Sequence, residues 1–282
     1  QSSQSGGCLK GPNIIARTMS VATQRGSSAK AWQYHSRSDT HSKVACWCVL
    51  FDLLLECDVF RQAATNGRLG FGINHVMVGP INKTLDLVVT TIAPGRDQDG
   101  RVSFTDCIDR YGIVLDEQER QLVDALPPVF HDRSDDMEEV AIALEAKACM
   151  TEHGKSMPRL HAEILATGYL AKKATPRSIA VSYSLVNAAA TFVTPSGQGK
   201  TNTHGASDAE RVVSMIRTAI PRAGSDNGPF GFDAVGVTVL ECQNDGTPVL
   251  VTQGTPAPGV HDPVRYDRMI RSICSEFRAR FG

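Results

Sequence analysis

The sequence predicts a mixed α/β fold, in which a central mixed sheet is flanked by helices and a C-terminal hairpin and helix are appended. Three observations support this fold class. A long apolar segment at 42–64 has the length of a buried helix. Short runs rich in β-branched residues follow at 68–79, 83–93 and 139–150. A helical segment then separates 139–150 from the next apolar run, 177–193, which is typical of a strand-helix-strand unit.

The first half of the chain divides by composition. Residues 1–30 are rich in Ser, Gln and Gly, which predicts a loosely ordered N-terminal arm before a single domain over 31–282. The segment PIN between 68–79 and 83–93 favours an antiparallel hairpin. Residues 94–137 are polar and irregular, so we interpret them as an insertion that contains one short helix.

The second half continues the alternation of helices and strands. A helix is expected at 157–174, with Pro158 near its first turn. Ser207 and Glu210 have the spacing of a capping box at the start of another helix. Residues 232–254 predict a hairpin, and the amphipathic segment 264–281 predicts the closing helix.

Composition limits the classes of function. The 29 basic and 30 acidic residues nearly cancel, so binding to a polyanion requires a local patch or a metal ion. No apolar stretch reaches the roughly 18 residues of a membrane span, so we expect a cytoplasmic protein without membrane contact. The eight cysteines include no CxxC pair and lie mostly in apolar segments, which favours reduced core thiols.

One predicted strand carries charges within an apolar run. In EEVAIALEAKACM, 138–150, Glu145 and Lys147 point to the same face because alternate residues of a strand share a face. Burying them is unfavourable unless something compensates their charges, and a divalent cation is one such compensator. Asp86 lies in the predicted strand 83–93, and with Glu145 and a backbone carbonyl, that of Ala146, it forms an oxygen ligand set suited to Mg²⁺.

These residues resemble the PD-(D/E)XK nuclease superfamily, which includes restriction endonucleases. The resemblance rests on Asp86 in TLDLVV, on Glu145-Ala146-Lys147 in IALEAKA and on the element order over about 42–187. It implies a restriction-endonuclease-like core, in which Asp86 and Glu145 bind Mg²⁺, or Mn²⁺ as a substitute, and Lys147 serves the attacking water. An acidic residue of the first core helix often joins such sites, and Glu56 is preferred here over Asp52.

The sequence departs from the pattern of that superfamily in two respects. Leucine, not proline, precedes Asp86, and Glu145 follows Asp86 by 59 residues, which requires 94–137 to be an insertion. Without that insertion, the paired acid would be a later aspartate such as Asp124 or Asp132.

The resemblance implies a metal-dependent deoxyribonuclease that hydrolyses phosphodiester bonds in double-stranded DNA, in restriction or anti-phage defence. Because cutting both strands requires two active sites, we expect a homodimer or a higher homo-oligomer. The alternatives are a non-specific nuclease activated by a second messenger and a non-catalytic member that only binds nucleic acid. A further segment, TPSGQGKT at 194–201, nearly matches a phosphate-binding P-loop, but the residues after Thr201 are poor helix formers.

Overall fold

The computed structural model describes residues 9–24, 30–77, 83–93, 95, 100–132, 139–195, 199–219 and 231–282. Its helices are α1 (Gly11–Ser20), α2 (Thr40–Glu56), α3 (Asp58–Thr65), α4 (Asp106–Tyr111), α5 (Glu117–Asp124), α6 (His153–Ala174), α7 (Asp208–Ala219) and α8 (Tyr266–Phe281). Its strands are β1 (Thr23–Gln24), β2 (Ala31–Trp32), β3 (Leu69–Met77), β4 (Lys83–Thr91), β5 (Phe130–His131), β6 (Glu139–Cys149), β7 (Ile179–Asn187), β8 (Thr191–Val193), β9 (Thr201–Thr203), β10 (Ala234–Glu241) and β11 (Leu250–Val251).

Within the described residues, a seven-stranded mixed sheet forms the centre of the molecule, in the order β11-β10-β7-β6-β4-β3-β5. Strand β4 lies antiparallel to both of its neighbours, β3 and β6, whereas β7 lies parallel to β6 and β10 lies parallel to β7. The parallel pairs are joined through α6 and α7, since parallel neighbours need a crossover connection. The central mixed sheet flanked by helices is therefore confirmed.

Helices cover both faces of this sheet. On one face, residues of α1, α2 and α8 pack with alternate residues of the strands, such as Leu87, Leu144 and Tyr183. On the other face, α6 and α7 pack against the strand residues that alternate with these, such as Ala143 and Ala180. Strand β6 lies in the middle of the sheet, so its side chains on both faces are enclosed by helices.

The predicted helix at 42–64 is divided into two. Cys57 adopts an extended backbone between α2 and α3. The guanidinium of Arg61 donates to the carbonyl oxygens of Leu54 and Leu55 at the end of α2. Satisfying these terminal carbonyls allows the chain to turn there without leaving buried acceptors unpaired.

The N-terminal segment differs from the expected loose arm over residues 9–24. Helix α1 buries Ile14 and Ile15 completely against α2. Its start is held by Asp52, whose carboxylate accepts the backbone N–H groups of Lys10 and Gly11. Composition suggested disorder, but two adjacent apolar residues and one buried acceptor are enough to order this piece. Residues 1–8 and 25–29 of the predicted arm lie outside the described residues.

The segment between β4 and β6 is more ordered than the expected insertion. Its described part contains α4, α5 and the edge strand β5, which pairs with β3. Phe104 stacks on Trp47 of α2, whose indole N–H donates to the Phe104 carbonyl at 3.0 Å. Asp116 and Glu119 form a capping box at the start of α5. The segment thus separates β4 from β6 in sequence while the two strands remain neighbours in the sheet.

The C-terminal hairpin belongs to the central sheet, and the C-terminal helix packs on it, so neither is appended to the core. Strand β10 pairs with β7, and β11 closes the predicted hairpin at the sheet edge. Helix α8 packs on β10, and Cys274 of α8 forms a disulfide with Cys57. That pair differs from the expectation of eight reduced thiols, whereas Cys46, Cys48, Cys107, Cys149 and Cys242 are free and buried.

Candidate functional site

The three residues at the centre of the sequence prediction lie on two neighbouring strands. Asp86 belongs to β4, while Glu145 and Lys147 belong to β6, and these strands are paired antiparallel. The Asp86 Oδ2 atom accepts the backbone N–H of Ala146 at 2.8 Å. The structure therefore brings Asp86 next to the Glu145-Ala146-Lys147 triplet, across 59 residues of sequence.

Asp86 is a carboxylate in an unfavourable position for its charge. Burial, together with the nearby Glu145 carboxylate, raises the pKa of Asp86 to about 6. The Ala146 N–H, the Lys147 ammonium and the Ser42 side chain oppose this shift without cancelling it. The same two carboxylates contribute, after burial, to raising the pKa of the Cys46 thiol well above its usual value. Ser42 and Cys46 of α2 thus lie close to Asp86.

Lys147 is held between two carboxylates. Its Nζ atom lies 2.5 Å from Glu145 Oε1 and 3.4 Å from Glu163 Oε2 of α6. Burial alone would lower the pKa of Lys147, but Glu145, Asp86 and Glu163 outweigh burial and raise it. Lys147 is therefore a fixed ammonium, which can donate hydrogen bonds and stabilise negative charge but has no lone pair to accept a proton.

The donor set at this position fits a hard divalent cation. Glu145 is 2% exposed, and its carboxylate is close enough to Asp86 to help raise the pKa of that residue. Two carboxylates therefore lie near each other with little access to water. Because the N–H and C=O of one strand residue point to the same neighbour, the Ala146 carbonyl is directed toward β4, as its N–H is. Carboxylate and carbonyl oxygens are the ligands that Mg²⁺ and Mn²⁺ prefer. Among the described residues, however, no group of three or more His, Cys, Asp or Glu side chains could hold a metal ion.

The acidic residues of the first core helix do not join this position. Glu56 is the last residue of α2, fourteen residues after Ser42, which places it about 21 Å further along the helix axis. Asp52 is fully buried, where its carboxylate accepts the N–H groups of Lys10 and Gly11 and the hydroxyl of Tyr266. The structure therefore does not bring Glu56, or the alternative Asp52, to Asp86, which lies near Ser42 at the opposite end of α2.

The two later aspartates lie elsewhere as well. Asp124 is exposed at the end of α5. Asp132 follows β5, where its carboxylate accepts the Thr90 hydroxyl, lies 4.0 Å from the Arg101 guanidinium and packs against Gly70. Asp86 is thus the aspartate that the structure pairs with the triplet in β6.

The P-loop-like segment does not begin a helix. Thr201–Thr203 forms β9, which pairs antiparallel with β8. A P-loop requires a helix N-terminus at this point to bind phosphate. The strand at Thr201–Thr203 agrees with the poor helix-forming character of the residues after Thr201 and does not fit a P-loop; residues 196–198 lie outside the described part.

Glu163 is the residue of this cluster that sequence reasoning missed. Its two carboxylate oxygens contact Lys147 and Arg159. The available signal was the spacing of four between Arg159 and Glu163, which places both on one face of the helix that directly follows β6.

No family model, curated protein or solved structure matches this chain. Over the described residues, none of the helices has the length and apolar character needed to cross a membrane.

Proposed function

We propose that the protein is a metal-dependent deoxyribonuclease that hydrolyses phosphodiester bonds in double-stranded DNA. The observation that carries the proposal is the approach of Asp86 to the Glu145-Ala146-Lys147 triplet on the neighbouring strand. Enclosing two carboxylates beside one ammonium is unfavourable without a further cation, which gives the arrangement a physical reason to bind one.

The order of the surrounding elements supports a restriction-endonuclease-like core. Helix α2 precedes the antiparallel strands β3, β4 and β6, and α6 then leads to β7, which lies parallel to β6. This is the succession of helix, strands, helix and strand that the resemblance implies. The segment between β4 and β6 is its long insertion.

The residues have separate roles in the proposed reaction. Asp86, Glu145 and the Ala146 carbonyl would hold the Mg²⁺ or Mn²⁺ ion. The ion, when bound, supplies a Lewis acid that stabilises charge on the phosphodiester. Lys147 donates hydrogen bonds to the attacking water or to a phosphate oxygen, and its fixed positive charge stabilises the negative charge that develops there.

We further propose a role for this activity in restriction or anti-phage defence in the cytoplasm, with a homodimer or higher homo-oligomer placing two active sites on the duplex. A nuclease regulated by a second messenger remains the alternative, and the pattern of products separates the two. Discrete fragments indicate sequence-specific cutting, whereas a smear indicates a non-specific effector.

The direct test is cleavage of supercoiled plasmid and phage DNA by the purified protein with Mg²⁺ and with EDTA. We expect cleavage in Mg²⁺ alone, and a loss of about 10²- to 10³-fold in rate in Lys147→Ala, because a preorganised charge is removed from the reacting phosphate. Lys173→Ala is the matched control, since Lys173 is an exposed lysine whose ammonium lies over the Tyr169 ring, 5.5 Å from its centroid.

Metal binding provides an independent measurement. Titration calorimetry with Mn²⁺ should detect binding by the wild type and a loss of that binding in Asp86→Ala. A wild type that binds no Mn²⁺ and leaves DNA intact would contradict the proposed function.

A further inference from the structure

Glu163 divides its carboxylate between two cations. Arg159 Nε lies 2.6 Å from Oε1, and Lys147 Nζ lies 3.4 Å from Oε2. Arg159 is four residues earlier on α6 and is largely exposed, so it restrains Glu163 from the solvent side. The second oxygen is left directed at the inner partner, Lys147.

The connection between β6 and α6 makes this contact a consequence of local chain geometry. Only the short segment Met150–Glu152 separates the end of β6 from the start of α6. Helix α6 then packs back over the face of the sheet from which Glu145 and Lys147 project. Glu163 thus lies over that face.

Lys147 has two carboxylate partners, which differ in their exposure to solvent and in their distance from the proposed metal site. Glu145 is 3% exposed in its side chain and lies beside Asp86, so it belongs to the proposed metal site. Glu163 is 36% exposed in its side chain and contacts Lys147 from the helix. When Glu145 gives its oxygens to a divalent cation, the ammonium of Lys147 loses attraction on that side and is repelled by the ion. Glu163 is then the group that keeps Lys147 in place.

We propose that Glu163 is a positioning residue, which anchors the ammonium of Lys147 and so releases Glu145 for the metal ion. This inference rests on the proposed nuclease function. It assigns Glu163 a role through Lys147 and no contact with substrate. Exposed ion pairs by themselves contribute little to stability. If Glu163 served only in such a pair, its replacement would leave metal binding and stability nearly unchanged.

The experiment compares Mn²⁺ affinity, measured by titration calorimetry, in wild type, Glu163→Gln, Lys147→Met and the double variant. In Glu163→Gln, Lys147 pairs with Glu145 alone and competes with the ion, so we expect Mn²⁺ affinity to fall about tenfold, as for other residues that orient a metal ligand. In the Lys147→Met background, Glu163→Gln should have no effect, because Glu163 acts through that ammonium.

Glu152→Gln is the matched control. Glu152 lies just before α6 and pairs with Lys155 at 2.6 Å, and both side chains are exposed. This variant should keep the wild-type affinity. The conservative variant Glu163→Asp should recover part of the loss.

Plasmid cleavage by the same proteins separates this inference from the proposed function. We expect Glu163→Gln to lower kcat while leaving KM for DNA unchanged. Cleavage and Mn²⁺ binding by the wild type with identical values in Glu163→Gln would overturn the role of Glu163 and leave the nuclease intact. Coupling in Mn²⁺ affinity without any cleavage would support the role of Glu163 at a metal site and overturn the nuclease. A wild type that neither binds Mn²⁺ nor cleaves DNA would overturn both.

Discussion

Two clusters of charged residues, each built around a buried carboxylate, lie around the central sheet, and their charges are balanced differently. The first is the candidate site, where Asp86, Glu145 and Glu163 meet Lys147 and Arg159. The second lies near the N-terminal ends of β7 and β10. There, Asp233 and Glu276 meet Lys172 and Arg280.

Asp233 has the contacts that a structural carboxylate needs. Lys172 and Arg280 both pair with it, and the Ala180 N–H donates to its Oδ2 atom at 2.7 Å. Lys172 and Arg280 also donate to the Ser178 carbonyl. This cluster joins α6, α8 and β10 and is balanced by its own side chains.

The candidate site contains more carboxylates than cations among the described residues, and the pKa of Asp86 is raised to about 6 as a result of burial and of Glu145. Burial of charge therefore does not by itself indicate function. The distinguishing feature is an imbalance that an external cation can remove.

The same substitution at the two clusters should have opposite effects, and the larger effect is at Asp233. Asp233→Asn leaves Lys172 and Arg280 without their buried counter-charge, so we expect the free energy of unfolding to fall by about 3 kcal/mol. Urea denaturation of both proteins measures this. DNA cleavage per folded molecule should be unchanged. A loss of stability below about 1 kcal/mol would contradict the role of Asp233 as a carboxylate that stabilises the fold.

The buried carboxylate of Asp52 separates the effect of burial from that of counter-charge. Its contacts are with hydrogen-bond donors, and burial raises its pKa to about 6. A raised carboxyl pKa means that the folded state binds more protons than the unfolded state between pH 3.8 and about 6. This contribution to stability is complete below pH 3.8 and is lost as the pH rises through about 6.

The measurement compares the free energy of unfolding of wild type and Asp52→Asn across this interval. The advantage of the wild type should decrease by about 2 kcal/mol from pH 4 to pH 6.5. A difference that is independent of pH would mean that the hydrogen bonds from Lys10, Gly11 and Tyr266 fully compensate the burial of the charge.

The smallest expected effect is a gain in stability at the candidate site. Asp86→Asn removes a carboxylate next to Glu145 while its amide oxygen can still accept the Ala146 N–H, so we expect the metal-free protein to gain about 1 kcal/mol at pH 7. Thermal denaturation with and without Mg²⁺ tests this. Mg²⁺ should stabilise the wild type and leave the variant unchanged. Destabilisation of the metal-free variant would mean that Asp86, like Asp233, stabilises the fold and is not evidence for a metal site.

The sequence alone determined the fold class and most of the strands. Apolar runs with β-branched residues located β3, β4, β6, β7 and the β10-β11 hairpin, because strand formation depends on a local pattern of side chains. The charged pair Glu145 and Lys147 was visible for the same reason, since two charges in an apolar run conflict with their surroundings. The sequence also favoured Asp86 as the partner of this pair.

Only the tertiary structure decided which acids meet. Glu56 and Asp52 lie on the expected helix, but the register of α2 against the sheet brings Ser42 and Cys46 to Asp86 instead. Glu163 became part of the cluster because α6 folds back over β6. The order of residues 9–24 and the disulfide between Cys57 and Cys274 depend in the same way on distant partners. Local patterns specify elements, whereas contacts between elements depend on packing, which no single segment contains.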